Sequence, residues 1–212
     1  MINEPKVTRI ETPTANWKRV LNAARRTWGK KPIDKEPSDS WKKQMLLAEH
    51  SPIRMLEYDI TIENIRQFVT VHFARHHIGI EKFIHTQRED INTSIQEQVE
   101  KVIEVLKKDN LLNEGWKNRD YMFQGSANDM DLSINAQAFI NISRKRLCAC
   151  ASQETRQAWR IILEAVKEID PILANACVAE CVYRGFCPES KRSCGYVNTK
   201  SFKKEREEYI KL

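Results

Sequence analysis

Residues 65–88, IRQFVTVHFARHHIGIEKFIHTQR, set Arg75, His76, His77, His85 and Arg88 within 14 positions. A buried segment tolerates such cation density only beside anionic partners. Yet the surroundings are apolar. Phe68, Val69, Val71 and Phe73 precede Arg75-His76-His77, and Ile78, Ile80, Phe83 and Ile84 follow. Cations set in apolar sequence point to a phosphate or carboxylate site at the edge of a core. The alternative is a helix end whose basic residues meet carbonyls and water. Ile65, Phe68, Val69, His72, Phe73 and His76 share one helical face, so a helix over 65–76 is expected despite the β-branched content.

Upstream, residues 55–62 alternate, with Leu56, Tyr58, Ile60 and Ile62 on one face and Glu57, Asp59 and Thr61 on the other. That is the pattern of a half-buried strand. Earlier still, 17–27 reads as a helix with Asn16 as its cap, 30–38 as a loop, and Ser38 or Asp39 as the cap of a helix to about Glu49. Downstream, Thr93 and Gln96 form a capping box for a helix over 93–110 with a stripe of Ile95, Val99, Val102, Ile103 and Leu106. Residues 130–135 suit a strand, and 136–146 and 152–169 suit helices. Asp170-Pro171 stops the second of these and opens another to about Cys181. Residues 1–16 read as an irregular arm. Helices outnumber strands, so the class is α+β: one domain over 17–180, with a small antiparallel sheet flanked by helices, followed by a cysteine-containing tail over 181–212.

The chain has 212 residues, enough for one sizeable core. No run approaches the roughly 20 apolar residues that span a bilayer. The N-terminus has no apolar signal segment, so a cytoplasmic location is expected and a membrane is not. The net charge of +6 suits anionic small molecules or nucleic acid without choosing between them. Aromatics make up only 8%, with no alternation of basic and aromatic residues to bind single strands.

The order of the pieces brings a family into view. Glu49-His50-Ser51-Pro52, a strand, Phe68-Val69, Arg75-His76-His77 and then Arg88 resemble the flavin-dependent thymidylate synthases. That family has a His-Glu-Thr-Pro-like segment before a strand, then a helix ending in Arg-His-Arg, then Ser-x-Arg. Arg119, Asn135, Asn141 and Arg146 follow the family's spacing of sixteen, six and five residues. Thr27, after Ala24-Arg25-Arg26, stands where the family has the serine of Ala-Arg-x-Ser. The likeness runs over residues 17–180. It departs at His77, where the family has arginine, at Ile80-Glu81-Lys82-Phe83, which replaces a Ser-x-Asn-Glu interior, and at Arg54, which replaces an acidic residue beside the flavin.

This resemblance implies reductive methylation of dUMP to dTMP, or a related modification of a deoxypyrimidine nucleotide. FAD would carry hydride, methylenetetrahydrofolate the carbon, and NADPH would reduce the flavin, in a homotetramer. Such chemistry is largely the cofactor's, and the protein supplies positioning and charge. It implies Arg75, His76, His77 and Ile78 at the FAD phosphates and ribose, Thr27 and Ser51 as hydroxyl donors, and Asn135 and Asn141 as amides for the flavin or adenine. His72, Thr86, Arg88, Arg119 and Arg146 would hold the nucleotide, with Arg88 and Arg146 as the catalytic pair. Simpler roles stand beside these. Asn135 and Thr27 could be helix caps, Arg146 could complement a helix dipole, and Arg119 could pair with Asp120.

All six cysteines fall after residue 147. The spacing Cys177-x3-Cys181-x5-Cys187-x6-Cys194 could wrap a tetrahedral zinc, with buried packing thiols as the alternative. A second reading of the whole chain is therefore a non-catalytic basic module that binds nucleic acid through a zinc-clipped tail. Under the flavoenzyme reading nucleic acid is not expected as a partner.

Overall fold

Tyr58, Ile60 and Ile62, alternating along β2 (Glu57–Arg66), build the centre of a four-stranded sheet. The computed structural model describes residues 4–212 apart from 89, 114, 116, 117 and 190. β2 pairs on one side with β1 (Lys6–Glu11) and on the other with β4 (Ala127–Asn135), whose far edge takes β3 (Ile80–Ile84). Every pairing is antiparallel, in the order β1-β2-β4-β3. Tyr58, Ile60 and Ile62 lie opposite Ile134, Leu132 and Met130, so one face of the centre is continuously apolar. The class is α+β, as the pattern implied.

Three departures from the sequence reading follow from the sheet. Residues 6–11 are not irregular. Val7 and Ile10 are three apart, and a register shift between Val7 and Arg9 lets both pack against the core. The helix expected from residue 65 begins only at Gln67 (α3, Gln67–Ala74), because the ladder continues past a bulge. There Asn64 adopts φ +60° and its N–H donates to Asp129 Oδ1 at 2.9 Å, which brings Ile65 opposite Asn128. β3 itself was not foreseen.

Helices cover the apolar face. α1 (Asn16–Thr27) has Ala15 rather than Asn16 at its N-cap, and the Asn16 side chain instead bridges the backbone of Glu57. α2 (Asp39–Leu47) is capped by Ser38, as expected. α4 (Thr93–Lys108) follows Asn92 at its N-cap; the Thr93 half of the expected capping box lies outside the described residues. α5 (Ala136–Arg146) and α6 (Gln153–Ile169) begin at the caps Asn135 and Ser152. Phe73 of α3, Phe139 of α5 and Trp159 of α6 meet edge to face or tilted under the sheet, with ring centroids 5.6 Å apart. Buried Asp170 caps α7 (Pro171–Ala176), and its Oδ2 accepts from Trp17 Nε1 at 2.6 Å and the Tyr58 hydroxyl at 2.7 Å. One carboxylate thus ties α1, β2 and α7 together.

The helix expected to reach Cys181 breaks after Ala176 and resumes as α8 (Glu180–Arg184). The chain turns there because it serves two apolar clusters. Cys177 joins the main core, while Val178, Cys181 and Val182 join Phe202 of α9 (Lys200–Ile210) in a second one. Among the described residues no helix is long and apolar enough to cross a membrane.

Candidate functional site

The last turns of α3 and α5 meet at a cluster of cations. Arg146 ends α5, and its guanidinium reaches back 70 residues to α3. Its Nη2 donates to the His72 carbonyl at 2.7 Å, satisfying one of the acceptors a helix leaves open at its C-terminus. Its Nε donates to His76 Nε2 at 3.0 Å. His76 must therefore accept at Nε2 and is held neutral, its proton on Nδ1. Burial, then Arg146, Lys82 and His77, pull the pKa of His76 down to about 4. His72 is lowered in the same direction by burial, Arg146 and Arg75, and its Nδ1 lies 2.6 Å from Thr155 Oγ1. Arg146 is itself lowered, first by burial and then by Arg75. Among the described residues Arg146 bonds an imidazole and a carbonyl and no carboxylate. Cations brought this close without a carboxylate bonded to the guanidinium form a field that a bound anion relieves.

Lys82 belongs to this cluster and the sequence reading missed it. Its Nζ donates to the His76 carbonyl and, at 3.3 Å, to the Ile80 carbonyl, stapling the turn between α3 and β3. The signal was present in the strand period, since Lys82 lies two residues from buried Ile80 and so on the same face. Gly79 makes that turn with φ +73°, and a Cβ there would stand 2.6 Å from the Asn135 side chain. Asn135 N–H donates to the Gly79 carbonyl at 2.9 Å, and its side chain caps α5 through Ala138 N–H. The asparagine therefore supports the site by positioning the turn that carries His76 and His77.

The other expected residues are distributed more widely. Arg75 and His77 are exposed beside the cluster, and Ile78 is 85% exposed. Asn141 is exposed on α5 and accepts from Arg144 at 3.4 Å. Thr86 and Arg88 follow β3, where the Arg88 N–H donates to Thr86 Oγ1 at 3.3 Å and the guanidinium pairs with Asp90 at 3.0 Å. They lie outside the hydrogen bonds that join Arg146, His72 and His76. The Arg119 side chain lies outside the described residues. Thr27 and Ser51 border a second cavity, of about 790 Å³, between α1, α2 and the turn after α2.

The expected zinc ligands do not converge. Cys177 is buried in the main core beside Ser143, its pKa pushed up to about 12 by burial, and the break between α7 and α8 separates it from Cys181. Among the described residues no group of three His, Cys, Asp or Glu could hold a metal ion. Cys148, Cys150, Cys181, Cys187 and Cys194 instead border one cavity of about 660 Å³, together with Arg146. Cys150 Sγ donates to the Arg192 carbonyl at 3.1 Å there, tying the tail to the α5–α6 loop.

The fold is similar to that of solved flavin-dependent thymidylate synthase structures. A flavin-dependent thymidylate synthase, ThyX, from Helicobacter pylori, solved with FAD and dUMP, superposes with a TM-score of 0.60 at 18% identity, covering 83% of this chain and all of the other. A second structure of the same protein with FAD and dUMP gives 0.59, again at 18% identity, over 82% and 98% of the two chains. The likeness is one of fold. No family model and no curated protein matches the sequence.

Proposed function

We propose that this chain is an FAD-dependent enzyme acting on a deoxyuridine nucleotide, methylating dUMP to dTMP with methylenetetrahydrofolate and NADPH or carrying out a close variant of that reaction. The observation that supports this most directly is Arg146 clamped between His72 and His76 on a fold shared with enzymes solved with FAD and dUMP. FAD and a nucleotide monophosphate together bring roughly four negative charges, and the cluster offers cations and neutral imidazoles to meet them.

The residues fit such ligands. Arg146 presents a planar fork with Nε and Nη2 already fixed, and Nη1 has no hydrogen-bond partner among the described residues. It would direct that group at a phosphate oxygen or a uracil carbonyl, with Arg88 and Arg119 closing on the same nucleotide. Neutral His76 would donate from Nδ1 to a phosphate or ribose oxygen, and His77 and Arg75 would add charge from the exposed side. A bound reduced flavin supplies the hydride. No protein nucleophile is needed for a hydride-first route, so the missing motif serine does not bar it. A homotetramer would bring Thr27 and Ser51 to the same cofactor, since within one chain they line a separate cavity.

Absorption spectra of the purified protein with added FAD and dUMP test this reading. Flavin bands that shift on adding dUMP are expected, with the shift lost in Arg146→Ala. A protein whose spectrum ignores both ligands would overturn it.

A further inference from the structure

Trp28 is 78% exposed and borders the cavity that also holds Thr27 and Ser51. Its backbone is fixed even though its ring is not covered. α1 ends with Gly29 in the left-handed conformation, Gly29 N–H on the Arg26 carbonyl at 3.0 Å and Lys30 N–H on the Arg25 carbonyl at 2.9 Å. That paired closure is a Schellman ending, which pins the residue at the C-cap. Lys30 Nζ lies 5.2 Å from the centre of the indole, bringing a cation to its face. The remaining wall includes Trp41, His50, Ser51 and Thr27, whose hydroxyl donates to the Ala24 carbonyl at 2.8 Å, and among the described residues no carboxylate lines the cavity.

An exposed indole on a fixed backbone, beside a cation and in a cavity without acidic lining, suits a planar ring joined to a phosphorylated sugar. The reacting ring of a flavin has to lie against the nucleotide base, near Arg146 and His76, and neither residue borders this cavity. The other end of the cofactor is left for it. We propose that Trp28 is the stacking platform for the adenine of the flavin dinucleotide, with Lys30 meeting the adenosine phosphate; this rests on the reading that the chain binds FAD. Trp28 is then a residue that selects FAD over FMN.

Calorimetric titration of wild type, Trp28→Ala and Trp28→Phe with FAD and with FMN tests it. Trp28→Ala weakens FAD about tenfold or more, leaves FMN unchanged, and Trp28→Phe recovers most of the loss. The ring is exposed, so the alanine variant folds, and circular dichroism with sedimentation checks that fold and assembly are unaltered. Equal FAD affinity in wild type and Trp28→Ala overturns the stacking role while leaving the flavoenzyme reading intact. An equal loss of FMN, or a change of assembly state, overturns it in favour of a contact with the reacting ring or with another subunit. A wild type that binds neither flavin removes the reading beneath it.

Discussion

His76 is the residue whose titration reports most directly on the cation cluster. Its folded pKa of about 4 lies below the unfolded value near 6.5, so the neutral form is favoured by folding. The sign follows from proton counting. The unfolded chain binds more protons between those values, so stability is full above about pH 6.5 and falls as pH drops toward 4. The ring is only half-buried, so the loss is about 1–2 kcal/mol after discounting for solvent. Urea unfolding at pH 7 and pH 4.5 measures it, and His76→Gln, which keeps an acceptor for Arg146, should flatten the dependence. Asp170 gives a second test at this scale. Tyr58→Phe removes one of its two side-chain donors and should cost about 1–3 kcal/mol in urea unfolding, leaving nucleotide binding intact. The contact between Arg146 and His76 was not legible in the sequence, because nothing local says that two helix ends 70 residues apart will meet.

At the scale of elements, the turn between α3 and β3 is the most constrained piece of backbone. Gly79→Ala would have to hold φ +73° with a side chain and displace the Asn135 amide that caps α5. A cost of about 1–3 kcal/mol is expected in thermal denaturation, with weaker nucleotide binding, because the turn carries His76 and His77. Elements whose ends carry their own chemistry were legible. α5 and α6 start where Asn135 and Ser152 offer cap oxygens, and α6 stops at Asp170-Pro171. The edge strands were not. β1 needs a register irregularity to bury Val7 and Ile10, and β3 is only five residues long with one buried position. The boundary of α3 was missed for a related reason: the bulge at Asn64 leaves a helical spacing of apolar residues straddling the end of a strand.

For the whole molecule, the two apolar clusters explain why cysteine spacing misled. Four thiols read as one ligand set belong to different cores and loops, and no count of intervening residues reveals a second core. Thiol labelling of the folded protein should show this directly. Exposed Cys194 should react readily and Cys150 more slowly, since burial and Cys148 raise its pKa and its thiol donates to the Arg192 carbonyl. Cys177, buried and with its pKa pushed up to about 12, should react only on unfolding. Fast labelling of Cys177 would mean that α7 does not pack as described. Leu147 packs against both clusters, and Glu180 of α8 pairs with Lys145 of α5 at 3.0 Å. With a core of its own, the tail is expected to open while the sheet stays closed. Amide hydrogens of α8 and α9 would then exchange with solvent together and ahead of those of β2 and β4. Because α5 (Ala136–Arg146) pairs with α8 and Arg146 borders a cavity shared with α8 and α9, a nucleotide held by Arg146 would slow exchange in both helices.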